Sequence, residues 1–193
     1  GNSGRSDKAI EAYKDVISTY PKRDEAQVAM EDLKRLLAAE GRLGEYAQYV
    51  KNVPNAPQLS AEEADQLTFS AAENAYLNGQ GIAQLKNYVT QYPDGAYQPQ
   101  ALHYLCQAAA ESGNYEQALK YASEIVNRYP DNIVAEGALA VMADAQERQG
   151  QIENALATYQ RLEQQASTPV NVKSARMGIL RIGRDLGRHS DVI

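Results

Sequence analysis

The sequence predicts an all-α protein, an α-α superhelix of stacked antiparallel helix pairs, on three observations. Apolar residues recur at helical spacing along the chain, and no alternating strand pattern competes with them. The tripeptides Thr19-Tyr20-Pro21, Gln91-Tyr92-Pro93 and Arg128-Tyr129-Pro130 recur, their prolines 72 and then 37 residues apart, with weaker copies in phase at Pro54-Asn55-Ala56-Pro57 and Ser167-Thr168-Pro169. Glycines keep the same period of 36 to 37: Gly4, Gly41, Gly113, Gly150 and Gly187 each separate two apolar runs, with Gly79 slightly displaced.

Ten helices follow in order. The first, 7–20, carries Ala9, Tyr13 and Val16 on one face and stops at Pro21, which cannot continue a helix. The second, 24–40, opens at Asp24 as a cap and closes at Gly41; a shorter third, 43–52, runs to the Pro54-Pro57 stretch. The fourth, 60–77, opens with Ser60-Ala61-Glu62-Glu63, a capping box in which Ser60 caps the Glu63 amide and Glu63 reaches back. The fifth, 80–91, ends at Tyr92-Pro93, and the sixth, 96–112, shows Leu102, Leu105 and Ala109 in helical spacing before Gly113. In the seventh, 115–128, Ala118, Leu119, Ala122, Ile125 and Val126 form a stripe that Pro130 terminates. Asp131 is a cap for the eighth, 133–149; the ninth and tenth are 152–166 and 170–186. Paired at the period, these helices give a half-repeat 1–21, repeats 22–57, 58–93, 94–130 and 131–168, and a half-repeat 169–193, read as one array. A two-helix unit of this size cannot bury its apolar face alone, so the units stack into a curved solenoid, each packing on its neighbours.

Composition removes several functions. The 193 residues carry 19 basic and 25 acidic side chains, a net charge of -6, and the basic residues are scattered, so nucleic acid is not an expected partner. The single cysteine cannot form an internal disulfide, and no CxxC or His pair stands at ligand spacing, which excludes a disulfide scaffold and a structural zinc site. The longest apolar stretch, Ile133 to Ala145, is broken by Glu136 and Asp144 and is shorter than the roughly 20 residues a spanning helix needs. Gly79-Gln80-Gly81 and Gly183 to Gly187 lack the strand and lysine of a phosphate loop, no nucleophile, base and orienter converge, and neither a cofactor nor enzymatic activity is expected.

The residues resemble the tetratricopeptide repeat family. The unit 94–130 offers Leu102, Leu105, Cys106 and Ala109 in its first helix, Gly113 and Tyr115 at its turn, Ala118, Ala122 and Ile125 in its second, and Pro130 at its end. The next offers Leu139, Met142, Ala143, Gly150, Ile152, Ala155, Tyr159 and Leu162, and the opening half-unit Ala9, Tyr13, Val16 and Pro21. Departures are a shortened turn around Asn78-Gly79, Gly81 in place of a small alanine, Tyr46 at a crowded site, and Ser167 where proline is due. Beginning at the turn glycine Gly4 and stopping at Val192-Ile193, where another second helix is due, the array reads as an excerpt of a longer repeat protein. Units of about 36 residues with Tyr92-Pro93-Asp94-Gly95 and Tyr129-Pro130-Asp131-Asn132 are similar to bacterial cell-envelope members, among them the repeat lipoprotein of the outer-membrane barrel assembly machine and the Tol-Pal coordinator protein. That likeness implies a periplasmic or outer-membrane-associated place, with the cytoplasm as the alternative.

The resemblance implies a scaffold that binds a protein or peptide partner in a concave groove lined by first helices. Carried over by register, the groove residues are Val28, Glu31 and Arg35; Gln100, His103, Gln107 and Glu111; Ala140, Asp144, Glu147 and Arg148; and Ser174, Met177, Arg181 and Arg184. Each set falls on one helix face. The same polar residues are equally the solvated face of a helix, and the second function is an architectural spacer or self-association arm with no groove ligand. The Lys and Asn clamp by which chaperone-binding relatives hold a C-terminal carboxylate is not reproduced. Cys106 reads as a small core residue, His103 as no partner to it in catalysis, and His189 as isolated. Glu62, Glu63 and Asp65 read as charges favoured at a helix N-terminus. Tyr20, Tyr92 and Tyr129 are expected to pack between repeats, the other tyrosines serving as interface anchors.

Overall fold

The computed structural model describes residues 3–190 and contains ten α-helices over that range. They are α1 (Ser3–Thr19), α2 (Asp24–Ala39), α3 (Leu43–Val50), α4 (Ala61–Leu77), α5 (Ala83–Gln91), α6 (Gln98–Glu111), α7 (Tyr115–Arg128), α8 (Ala135–Arg148), α9 (Ile152–Gln165) and α10 (Pro169–Ser190). The architecture is all-α, of the α-α superhelix class. The chain folds as two compact units, Gly1–Tyr97 with α1 to α5 and Gln98–Ile193 with α6 to α10.

The first unit packs α1 against α2, and α2 against α3 and α4, around Ile10, Ile17, Leu33, Leu37, Tyr46 and Val50. Its second centre, between α4 and α5, is partly polar. Asp65, buried in α4, accepts the Tyr88 hydroxyl on Oδ1 and the Ala96 amide on Oδ2 at 2.7 Å, while the Tyr97 amide donates to the Tyr88 oxygen at 3.2 Å. Phe69 stands edge-on to Tyr88 at 5.5 Å and stacks on Tyr97 at 4.8 Å. The Tyr92-Pro93-Asp94-Gly95 turn is thus tied to α4, and a Cβ on Gly95 would lie 2.6 Å from the Tyr88 oxygen and 2.9 Å from Asp65 Oδ1. At 37 residues onward, the places of Asp65, Phe69 and Tyr88 are taken by Leu102, Cys106 and Ile125, the all-apolar solution of the same packing problem.

In the second unit α6 pairs with α7, α8 with α9, and α10 packs on α9, while α8 lies beside both α6 and α10. Leu102, Leu105, Cys106, Ala118, Ala122 and Ile125 are 0–1% exposed at the first of these pairings. The Cys106 thiol lies 3.6 Å from the Ala118 carbonyl, which confirms it as a small core residue. Gly113 and Gly150 take φ of 75° and 74°, the left-handed closure that lets a helix end and reverse. On α10, Gly178 leaves room for a neighbour: a Cβ there would lie 2.5 Å from the Tyr159 ring.

Several local expectations need correction. Gly4 lies inside α1 and Gly187 inside α10, which runs through to Ser190, so neither is a turn glycine. Gly81 belongs to the turn, with φ of 90°, and α5 begins only at Ala83. Asp24 is the first residue of α2 and no side chain caps that helix, whereas Asn114 and Ser60 do cap, accepting from the Gln117 and Glu63 amides at 3.2 and 3.1 Å. In place of Asp131, Asn132 accepts the Val134 amide at 3.1 Å before α8. The return arm of the capping box is spent elsewhere, because Glu63 pairs with Lys34 of α2 at 2.6 Å. Asp65 is no N-terminal surface charge, and Glu62 is the exposed member of that trio. Tyr20 is 48% exposed and lies under Arg23 at 5.3 Å, so it is not packed between repeats. Tyr92 does pack, stacking on Tyr88 at 5.3 Å with its hydroxyl 3.2 Å from Thr68. The side chain of His189 and the positions Val192 and Ile193 lie outside the described residues.

Candidate partner-binding face

In the second unit α6, α8 and α10 stand side by side with α7 and α9 behind them, so the first-helix residues share one surface. On α6, Gln100, His103 and Gln107 are partly buried and Glu111 is exposed. His103 reaches toward α8, its Cε1 3.5 Å from where a Cβ on Gly137 would stand. Burial holds the imidazole below its ordinary 6.5, so it is neutral at pH 7, with a donor on one nitrogen and an acceptor on the other.

The charged candidates on α8 and α10 are committed to one another. Arg181 grips Glu147 in two parallel bonds, Nε to Oε1 at 2.6 Å and Nη2 to Oε2 at 2.5 Å, and the Tyr159 hydroxyl of α9 adds a third at 2.9 Å. The Arg181 contact, foremost, holds the Glu147 carboxyl below the usual range. Arg148 donates to Asp144 at 2.7 Å one turn back and lies 4.9 Å from the Tyr115 ring of α7. Arg184 is exposed. Among the uncharged candidates, Val28 and Met177 are 61% and 55% exposed, Ser174 is exposed, and Ala140 is partly buried.

The two charged candidates of the first unit lie on α2, as does Val28. Glu31 accepts from Lys34 at 2.8 Å, and Arg35 is exposed. Burial alone would lower Lys34, but hydrogen bonds to Glu31 and Glu63 outweigh it and raise the ammonium above its ordinary value. The pair Lys34–Glu63 therefore fastens α2 to α4, and Glu31 shares that task.

Sequence reasoning missed one polar centre of the second unit. Glu136 of α8 accepts from the Ser167 amide and hydroxyl, both at 2.8 Å, from the Thr168 amide at 3.1 Å and hydroxyl at 2.5 Å, and from Asn171 at 2.7 Å. These donors, the Thr168 hydroxyl foremost, hold its carboxyl well below the usual carboxylate range. A carboxylate of one first helix thereby caps the next, beside a pocket of about 390 Å³ that Ile133 and Asn132 also line. The signal was present: Ser167 stands where the repeat expects proline, and a proline has no amide hydrogen for Glu136.

These features define a helix-pair repeat protein, with a row of first helices presenting side chains on one face. Three segments, residues 2–23, 100–132 and 141–167, match the tetratricopeptide repeat family. The segments cover α1, the pair α6–α7, and most of the pair α8–α9. Tetratricopeptide repeats are modules of protein–protein interaction and form a non-catalytic scaffold family. No curated protein gives a significant match to the chain. Among the described residues no helix is long and apolar enough to cross a membrane.

Proposed function

We propose that the chain is a non-enzymatic interaction scaffold that holds a peptide or partner helix along the first-helix face of α6, α8 and α10. The observation that carries this is the state of the charges on that face. Glu147–Arg181 and Asp144–Arg148 are already paired at 2.5–2.7 Å, so a partner meets a surface whose ordering cost is met within the folded chain. Between the pairs and the α6 edge lie the neutral donors and acceptors of Gln100, His103 and Gln107, with Gly137 and Ala140 allowing close approach. Glu111 and Arg184 flank this surface, and Glu31 and Arg35 form the equivalent patch of the first unit. A bacterial envelope assembly is the setting we propose, on the strength of the Tyr-Pro-Asp-Gly and Tyr-Pro-Asp-Asn turns.

The test is capture from an envelope extract with the chain as bait, beside a variant carrying His103→Ala, Gln107→Ala and Arg148→Ala whose circular dichroism matches the parent. A partner retained by the parent and lost by the folded variant supports the groove. Equal retention by both, or retention by neither together with self-association in sedimentation, transfers the reading to a spacer or self-association arm.

A further inference from the structure

Two turns at the same place in the repeat carry opposite chemistry. Pro21 and Pro130 stand three repeats apart; Lys22, Arg23 and Asp24 follow the first, and Asp131, Asn132 and Ile133 follow the second. Against the first turn lies a pocket of about 400 Å³, walled by Pro21, Met30, Tyr46, Pro54 and Pro57. Met30 and Tyr46 are the buried part of that wall, and between Pro54 and Pro57 the chain bends at Asn55, whose φ is 60°. Lys22 and Arg23 also line the pocket and are exposed, whereas Glu31, the acid on its wall, is already held by Lys34 at 2.8 Å. Asp24 and Glu25 belong to the first turn of α2 and do not line it. Both turns that bound the pocket, 21–23 and 54–57, are in place, so its opening does not depend on a neighbouring repeat.

The second turn is the counterpart of that pocket. Ile133 is 92% exposed, the highest value among the large apolar side chains described, although the next turn, 167–169, is in place. Asp131 beside it is exposed, while Glu136 is spent on the donors of Ser167, Thr168 and Asn171. An apolar tip next to a free carboxylate answers an apolar pocket with a basic rim, in shape and in charge. Neither feature answers itself: two pockets face to face would oppose Lys22 and Arg23 to their own copies, and two tips would meet with nothing to receive them. A contact between unlike surfaces of identical chains is heterologous, leaving one pocket and one tip open for the next copy. We propose that the chain associates head to tail, the turn after α7 of one copy docking on the first unit of a second, with Ile133 seated among Met30, Tyr46 and the prolines and Asp131 against Lys22 and Arg23. So small a contact makes a weak, reversible association. The first-helix face takes no part in it.

Sedimentation velocity of the 193-residue chain over a concentration series tests it. The average mass is expected to rise with concentration, and Ile133→Ser, or Lys22→Glu with Arg23→Glu, is expected to weaken the association at least about tenfold, a loss of roughly 1.4 kcal/mol or more. All three side chains are exposed, so these replacements spare the fold, which circular dichroism checks. Mixed in equal amounts, the two variants are expected to pair again, because the Ile133→Ser chain keeps its pocket and the Lys22→Glu, Arg23→Glu chain keeps its tip. That mixture should stop at the dimer, whose open ends are the altered tip and the altered pocket. The His103→Ala, Gln107→Ala, Arg148→Ala variant is expected to associate as the parent does, so failure here and failure of the first-helix reading are distinguishable. A chain that stays monomeric at every concentration, association that neither variant weakens, or a mixture that remains monomeric overturns the proposal.

Discussion

Replacing Tyr88 by Phe takes one hydroxyl from the interior of the first unit and leaves the ring with its contacts to Phe69 and Tyr92 at 5.5 and 5.3 Å. That hydroxyl donates to Asp65 and accepts from the Tyr97 amide, so its loss removes a donor from a buried carboxylate and strands an amide. A hydrogen bond to a charged group contributes about 1.5–3 kcal/mol, and the loss is expected in that range. With a urea slope of about 1–3 kcal/mol/M, the midpoint falls by about 1 M at unchanged slope. Urea titration followed by circular dichroism reads it directly. Asp65→Leu with Tyr88→Ile then imports the residue types found 37 positions onward, Leu102 and Ile125. The double replacement removes both members of the polar pair and is expected to cost less than the sum of Asp65→Leu and Tyr88→Ile. Burial, with Asp65 beside it, raises the Tyr88 phenol above its ordinary 10.0. Its contribution is therefore complete below pH 10 and is lost as pH climbs toward the raised folded value, a loss that Tyr88→Phe abolishes. An unchanged midpoint in Tyr88→Phe would refute the claim that this hydroxyl ties the turn to α4.

Three further outcomes follow from the second unit. Glu136→Gln should cost about 1 kcal/mol at pH 7, the scale of a lost helix cap. Because the folded carboxyl lies below its ordinary 4.5, its contribution is present above that value and lost as pH falls through the folded one. The parent and variant midpoints should therefore converge in acid, and a constant gap from pH 7 to strongly acid solution would remove the capping role. Ala118→Leu should cost about 1–3 kcal/mol by overpacking a site that is 0% exposed and meets Cys106; an unaltered melting temperature would place Ala118 on another face. Burial pushes the Cys106 thiol up to about 12, so Ellman's reagent at pH 8 should leave the folded chain unlabelled and label it in urea. Rapid labelling of the folded chain would contradict the packing, as would loss of partner capture in Cys106→Ala.

What the sequence revealed is what repeats. Period 37 and helical spacing locate all ten helices to within a few residues, since each stripe and each left-handed glycine recurs where the stacking geometry requires it. The errors fall where register and chemistry separate. Gly4 and Gly187 keep the phase yet sit inside helices, because a glycine marks a turn only when the chain reverses beside it. Asp65 looks like one more acidic residue in a helix's first turn until it is set against Leu102 and Leu139 at the same phase, where a lone carboxylate among leucines requires donors that only Tyr88 and the Gly95 turn can bring.

The same reasoning explains why the candidate face was legible as a surface and not as chemistry. Helix phase alone places His103, Gln107, Glu147 and Arg181 on one row. Whether Arg181 is free or gripped depends on Glu147, 34 residues earlier and on another helix, a distance set by the stacking of α8 on α10. Paired charges cost a partner little to approach and offer it little net charge. Binding at the first-helix face should therefore depend weakly on ionic strength, and a captured partner released steeply by rising salt would show that free charges rather than these pairs hold it.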